Sequence, residues 1–166
     1  RRILEDLVAG GLAYADVYAN LAALHRDAGD VDAARRLYAA ALADRPDDLR
    51  TAAAAVSLEV ASGRPQAAER IYEELLRFHP GDRRLRNNLA LLRAGRGDDA
   101  GAAALFAALV AENPDYASAR VNYAQSLFRL GRRDAALAQL RAAEPLVRGT
   151  DLEAVVRRQL DAAAAE

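Results

Sequence analysis

No cysteine, methionine, tryptophan or lysine occurs among the 166 residues. Without cysteine there is no disulfide framework and no thiolate chemistry, and the compartment stays open, because cytosolic and periplasmic chains alike can lack it. No apolar run approaches the roughly 18–20 residues that cross a bilayer, so a membrane-spanning helix is not expected. No signal peptide is visible, and the chain begins at Arg1 inside an expected helix, which reads as a piece of a longer protein. The only histidines, His25 and His79, stand far apart. No His/Asp/Glu cluster has metal spacing and no Gly-rich phosphate loop occurs, so metal, cofactor and catalytic residues are all expected to be absent. Asp47–Asp48 and Asp98–Asp99 look like paired carboxylates. They fall where helices are expected to start, and there acidic groups answer the helix dipole. The chain is read as not an enzyme.

Charge of one sign is also missing. The net charge is −1 and the pI about 6.2, which removes the electrostatic footprint of a dedicated nucleic-acid binder. All 23 cationic side chains are arginine. This points to a GC-rich bacterial gene, and it makes every cationic contact a planar fork able to grip carboxylates. Aromatics are only 5% of the chain, while alanine is about a quarter, far above ordinary usage. Alanine has the best helix propensity and lets helices approach closely. Strand formers never alternate over a useful length, so the class is all-α.

What is present is a period. Gly29 returns as Gly63, Gly97 and Gly131; Ala34 as Ala68, Ala102 and Ala136; Tyr38 as Tyr72, Phe106 and Leu140; Pro46 as Pro80 and Pro114. Each step is 34 residues (63 − 29, for example), the signature of stacked helical hairpins. The pattern predicts four repeats, 15–48, 49–82, 83–116 and 117–149, each with a helix A, a glycine turn and a helix B. Residues 1–11 place Ile3, Leu4, Leu7 and Val8 on one face and read as the second helix of a partial repeat. Residues 150–166 read as a lone capping helix, with Thr150 and Glu153 forming a capping box and Leu152, Val155, Val156 and Leu160 an apolar stripe. All of 1–166 is expected to be one domain.

These columns resemble the tetratricopeptide repeat (TPR) family. That family wants a large residue, Leu and a small residue in helix A, then Ala, an aromatic, Ala and Pro through helix B. Tyr18, Leu21, Ala22, Ala34, Tyr38, Ala41 and Pro46 supply them in one repeat, and four repeats match in phase without insertions. The resemblance implies a right-handed α-solenoid of antiparallel helix pairs, with a concave groove lined by the A helices and a partner protein bound there as a peptide or helix. It places the candidate contact residues at Asn20, Arg50, Ser57, Arg84, Asn87, Asn88, Leu91, Val121, Asn122, Gln125 and Arg129. Asp16, Ala19, Ala23 and Asp27 join them from the first repeat.

In the family, the Asn shared by Asn20, Asn88 and Asn122 often bonds a ligand's backbone. The family's clamp for acidic C-terminal peptides of heat-shock chaperones is not expected. It uses Lys, Asn and Arg, whereas this chain has no Lys and carries Ala19, Ala23 and Ala54 in those columns. The column His25, Glu59, Arg93 and Leu127 departs from the family's Tyr. It is expected to form a polar ladder in which Glu59 bonds Arg93 and also His25.

A protein-interaction scaffold is therefore the leading expectation. The alternatives are a regulatory or targeting segment of a larger bacterial enzyme or sensor, and a self-assembling part of a cell-envelope machine. In the last case the apolar face of residues 1–11 would pair with another chain, giving a homo-oligomer through exposed terminal helices. RNA binding is disfavoured by the charge balance.

Overall fold

Every A helix ends in the same turn, and that turn also starts the B helix. After His25 the backbone reaches Gly29 at φ 79°, a left-handed value that suits glycine. The Asp30 N–H then donates to the His25 carbonyl at 2.8 Å, and the Gly29 N–H to that of Arg26 at 2.9 Å. This double closure satisfies carbonyls that the helix end would orphan. Asp30 in turn accepts from the Ala33 N–H and caps the next helix. Gly63, Gly97 and Gly131 share the positive φ, with matching closures onto Glu59, Arg93 and Leu127.

The computed structural model describes residues 2–11 and 14–164. Among them lie ten α-helices and no strand: α1 Arg2–Ala9, α2 Ala15–Asp27, α3 Val31–Asp44, α4 Leu49–Ala61, α5 Pro65–Phe78, α6 Arg83–Gly95, α7 Asp99–Glu112, α8 Ala117–Arg129, α9 Arg133–Ala143 and α10 Asp151–Ala164. The expected all-α, 34-residue hairpin architecture is what is found, with one helix pair inside each of the four expected repeat spans. The expected capping helix ran to 166; residues 165 and 166 lie outside those described, as does Arg1.

The helices form two compact units, Arg1–Asp82 and Arg83–Glu166. In the first, Tyr38 of α3 is buried with Ala22 of α2, Ala34 of α3, and Ala55 and Leu58 of α4. The aromatic of one hairpin thus seals it against the next. In the second unit, Phe106 of α7 does the same among Ala90, Ala102 and Ala119. Beyond it, Val121, Ala124, Leu127, Ala136 and Leu140 pack with Val147 and with Val156 of α10. Ala34, Ala68, Ala102 and Ala136 are each 0% exposed, so close approach of the two helices of a hairpin rests on a side chain no larger than methyl.

The fourth hairpin ends differently from the others, as its sequence does. Pro145 sits in a 3-10 turn, Glu144–Leu146, that buries Val147 before Gly149 turns the chain into α10. The expected capping box of Thr150 and Glu153 is not made there. Glu153 Oε2 accepts from the Gly149 N–H, one residue earlier than a box requires, and the Thr150 hydroxyl donates to the Val147 carbonyl instead of accepting from Glu153. The left-handed Gly149 brings its own N–H to the helix mouth ahead of Thr150.

Candidate partner-binding surface

Burial divides the expected contact residues by column. Asn20 and Asn88 are exposed and Asn122 half-buried; Ser57 and Leu91 are exposed and Gln125 half-buried. These two columns lie open along α2, α4, α6 and α8. In the column immediately before the asparagines only Ala53 lies open. Val121 is 2% exposed and belongs to the core around Leu140, Asn87 is 7% exposed, and Ala19 is buried too. Val121 and Asn87 are therefore corrected from contact residues to packing residues. Their Cα–Cβ bonds turn toward protein rather than solvent, a border that helical periodicity alone resolves only to within one position. Asn122 spends one donor internally, its Nδ2 giving a 3.1 Å bond to Asn87 Oδ1.

The cations of this surface are largely spoken for. Arg50 donates to Asp16 at 3.5 Å, and Arg45 holds the same carboxylate at 2.5 Å. Arg129 reaches Asp99 at 3.0 Å. Arg84 is exposed. In the first unit the charges that break the repeat at Asp16 and Arg50 thus answer each other across neighbouring hairpins. Such exposed pairs contribute little to stability.

The polar ladder takes another form. His25 Nδ1 lies 3.0 Å from Asp30 Oδ2, with Glu5 of α1 at 3.8 Å from the other ring nitrogen. Glu59, 5% exposed, accepts from Arg35 Nε at 2.7 Å and faces Arg64 Nε at 3.4 Å. Within this unit, then, His25 and Glu59 each find partners in their own turn or on the adjacent B helix rather than in each other. The sequence held the signal. Residues five apart across each turn are His25 and Asp30, Glu59 and Arg64, and Arg93 and Asp98, so a change of sign in one column is matched in the other. The electrostatics agree. The Ala33 N–H and then His25 hold the Asp30 carboxyl below its usual range, and the bond Arg35 donates to Glu59 raises Arg35. The Thr51 hydroxyl similarly lowers Asp48, the cap of α4. Among the described residues no group of three or more His, Asp or Glu could hold a metal ion. No described helix is long and apolar enough to cross a membrane.

Stacked helical hairpins with an open A-helix face and internally paired charges define a helical-repeat interaction scaffold. The sequence matches the tetratricopeptide repeat family over residues 53–117 and again over 91–157. Together these spans cover well over half of the chain, which belongs to that family. Its repeats are, as a class, protein-binding frameworks and ordinarily non-catalytic. Solved structures of MamA share the fold. One labelled AMB-1 is 22% identical, with 93% of this chain and 85% of that one aligned at a TM-score of 0.69. One from Desulfovibrio magneticus RS-1 is 15% identical, with 90% and 85% aligned at 0.69. One labelled MSR-1 is 20% identical, with 86% and 82% aligned at 0.66. No curated protein matches the sequence significantly.

Proposed function

We propose that this chain is a non-catalytic scaffold that binds a peptide or helix of a partner protein along its A helices. The supporting observation lies in the second unit. Asn88 and Leu91 of α6 and Asn122 and Gln125 of α8 repeat at 34-residue spacing, and all stay wholly or partly open. Amide groups on both helices can donate to and accept from a backbone laid across them, while Leu91, 41% exposed, offers an apolar contact. Arg84 supplies a cation at the end of the row, suited to a carboxylate on the bound segment.

The test is a photo-crosslinking residue at position 91, with one at Arg158 on α10 as control. A polypeptide captured from position 91 alone, and bound at least about tenfold more weakly by an Arg84→Glu, Asn88→Ala double variant, supports the reading. Unchanged affinity of the double variant refutes it.

A second reading has its own observation. In α1 no residue is buried, and Ile3 is 76% exposed. That leaves an apolar edge through which two copies can pair. Light scattering over a wide concentration range tests this; a constant monomer mass excludes it.

A further inference from the structure

Helix α1 is fastened to the first hairpin by little apolar burial. None of its residues is buried, and against it lies an open-sided space of about 320 Å³, lined by Val8 of α1, Leu21 of α2 and Leu37 of α3 among others. A helix that keeps its apolar side chains partly wet gains correspondingly less from docking. A polar contact then weighs more in the balance, and α1 makes one with His25.

His25 is 9% exposed and stands between two carboxylates. Asp30 Oδ2, from the turn after α2, is 3.0 Å from Nδ1, and Glu5 Oε1, from α1, is 3.8 Å from Nε2. A carboxylate accepts and cannot donate, so the ring proton facing Asp30 sits on Nδ1. In the neutral ring Nε2 is then a bare acceptor turned toward a second acceptor. A proton added at Nε2 converts that contact into attraction between an imidazolium and a carboxylate. Among the described residues lining the space, the other charge is Arg36 of α3. With the ring neutral, Glu5 and Asp30 outnumber Arg36, and one proton on His25 balances the cluster. On α2 itself Arg26 is engaged by Asp27, and on α4 Glu59 is turned to Arg35 and Arg64. Asp30, held below its usual range by the Ala33 N–H and then by His25, stays ionised across the range in which histidines change charge, about pH 5 to pH 8.

We propose that His25 is a proton-operated latch for α1: protonated, it holds Glu5 and docks α1 on the first hairpin; neutral, it lets α1 loosen and uncover Leu21 and Leu37. The docked state binds the proton more tightly than the loosened one. Docking is therefore strongest on the acid side of neutrality and weakens as pH rises through the histidine range; it fails again only near pH 4, where carboxylates take up protons. Glu5 is 42% exposed, so solvent screens the pair, and the change in the docking equilibrium is about two- to threefold. The latch acts at the edge of the repeat array and does not depend on the A-helix face.

The test is an NMR titration of the isotope-labelled protein from about pH 5 to pH 8. Ring resonances of His25 report its protonation, and amide shifts and heteronuclear NOEs of α1 report its docking. The α1 amides are expected to titrate with the midpoint of His25, and their NOEs to fall on the alkaline side. Glu5→Gln keeps the size of the side chain and removes its charge. It is expected to lower the His25 midpoint by about 0.3–0.5 pH unit, the same two- to threefold, and to flatten the response of α1. His25→Gln removes that response altogether, whereas His79→Gln, at the other histidine, leaves it intact. Amides of α1 that do not follow His25, or a His25 midpoint that Glu5→Gln does not move, overturn the proposal. So does a response of α1 that persists in His25→Gln or disappears in His79→Gln.

Discussion

Two adjacent alanines on α5 should respond oppositely to the same substitution. Ala68 is 0% exposed and belongs to the column that sets the approach of the two helices of a hairpin, whereas Ala67 is half-buried and borders an open-sided groove of about 390 Å³ between α3 and α5, lined also by Leu42 and Ile71. Leucine adds an isopropyl group to alanine. At position 68 there is no space for it, so neighbours leave their preferred rotamers or the helices part, at about 1–3 kcal/mol. At position 67 the groove's 390 Å³ exceeds what the group needs. The added carbons leave water in part, and the gain is on the order of 0.5–1 kcal/mol, given ~25 cal/mol for each Å² buried and a site that stays partly open. The two variants should therefore differ by roughly 2–3 kcal/mol though they carry the same residue one position apart.

Urea unfolding followed by far-UV circular dichroism measures this. The midpoint is compared at constant slope, so that a change in cooperativity is not mistaken for a change in stability. Equal destabilisation by both variants would show that the groove is closed in solution. A neutral Ala68→Leu would show that the alanine column does not set the helix separation. Either result refutes the reasoning.

Gly101→Ala should stabilise by up to about 1 kcal/mol. Its Cβ would meet Asp98 Oδ2 at 2.3 Å, but that carboxylate can swing as Asp30 does over Ala33, where the cap persists at 3.2 Å; a lower thermal midpoint would show that it cannot. Asp48 is held below its ordinary range, so it stabilises the fold above about pH 4, and that contribution is lost as pH falls through the depressed value. Asp48→Asn keeps the capping acceptor and should flatten the acid limb of stability; an unchanged limb in melts from about pH 6 down to about pH 3 counts against it. Arg120→Ala should cost about 1 kcal/mol by removing its two hydrogen bonds, to the Pro114 carbonyl and to Gln139; thermal melts read this, and unchanged stability contradicts the role given to Arg120.

The helices and their turns were legible in the sequence because each is fixed by local chemistry. Gly29 and its three counterparts permit the left-handed turn, Asp30 and Asp98 cap α3 and α7, and Pro46, Pro80 and Pro114 come just after a B helix ends. The candidate surface was legible only in part. Asn88 and Leu91 are given by helical register, but Val121 and Asn87 lie one step round the helix, where the placement of a neighbouring helix decides between solvent and core. The step between His25 and Glu59 is not made, because equal spacing along the chain does not by itself give contact across it. The shorter route, five residues over the turn, wins because the chain reversal brings His25 and Asp30 together at little further entropic cost.

The turn at Gly29 leaves no spare residue: its last closure, on the Asp30 N–H, is made by the residue that caps α3. One inserted amino acid there would rotate the whole of α3 by about 100° about its axis and turn Ala34 and Tyr38 away from α2. The joint after Pro46 is held more loosely: a single closure, from the Asp48 N–H to the Arg45 carbonyl at 3.3 Å, stands where the glycine turn makes two shorter ones. Duplication, loss and shuffling of gene segments are therefore channelled to the proline joints, where whole hairpins can be gained or dropped in phase. Length variation inside a hairpin is closed off. A lineage of such chains should differ in the number of hairpins and in the residues displayed on them, and hardly at all in the span between one turn glycine and the next.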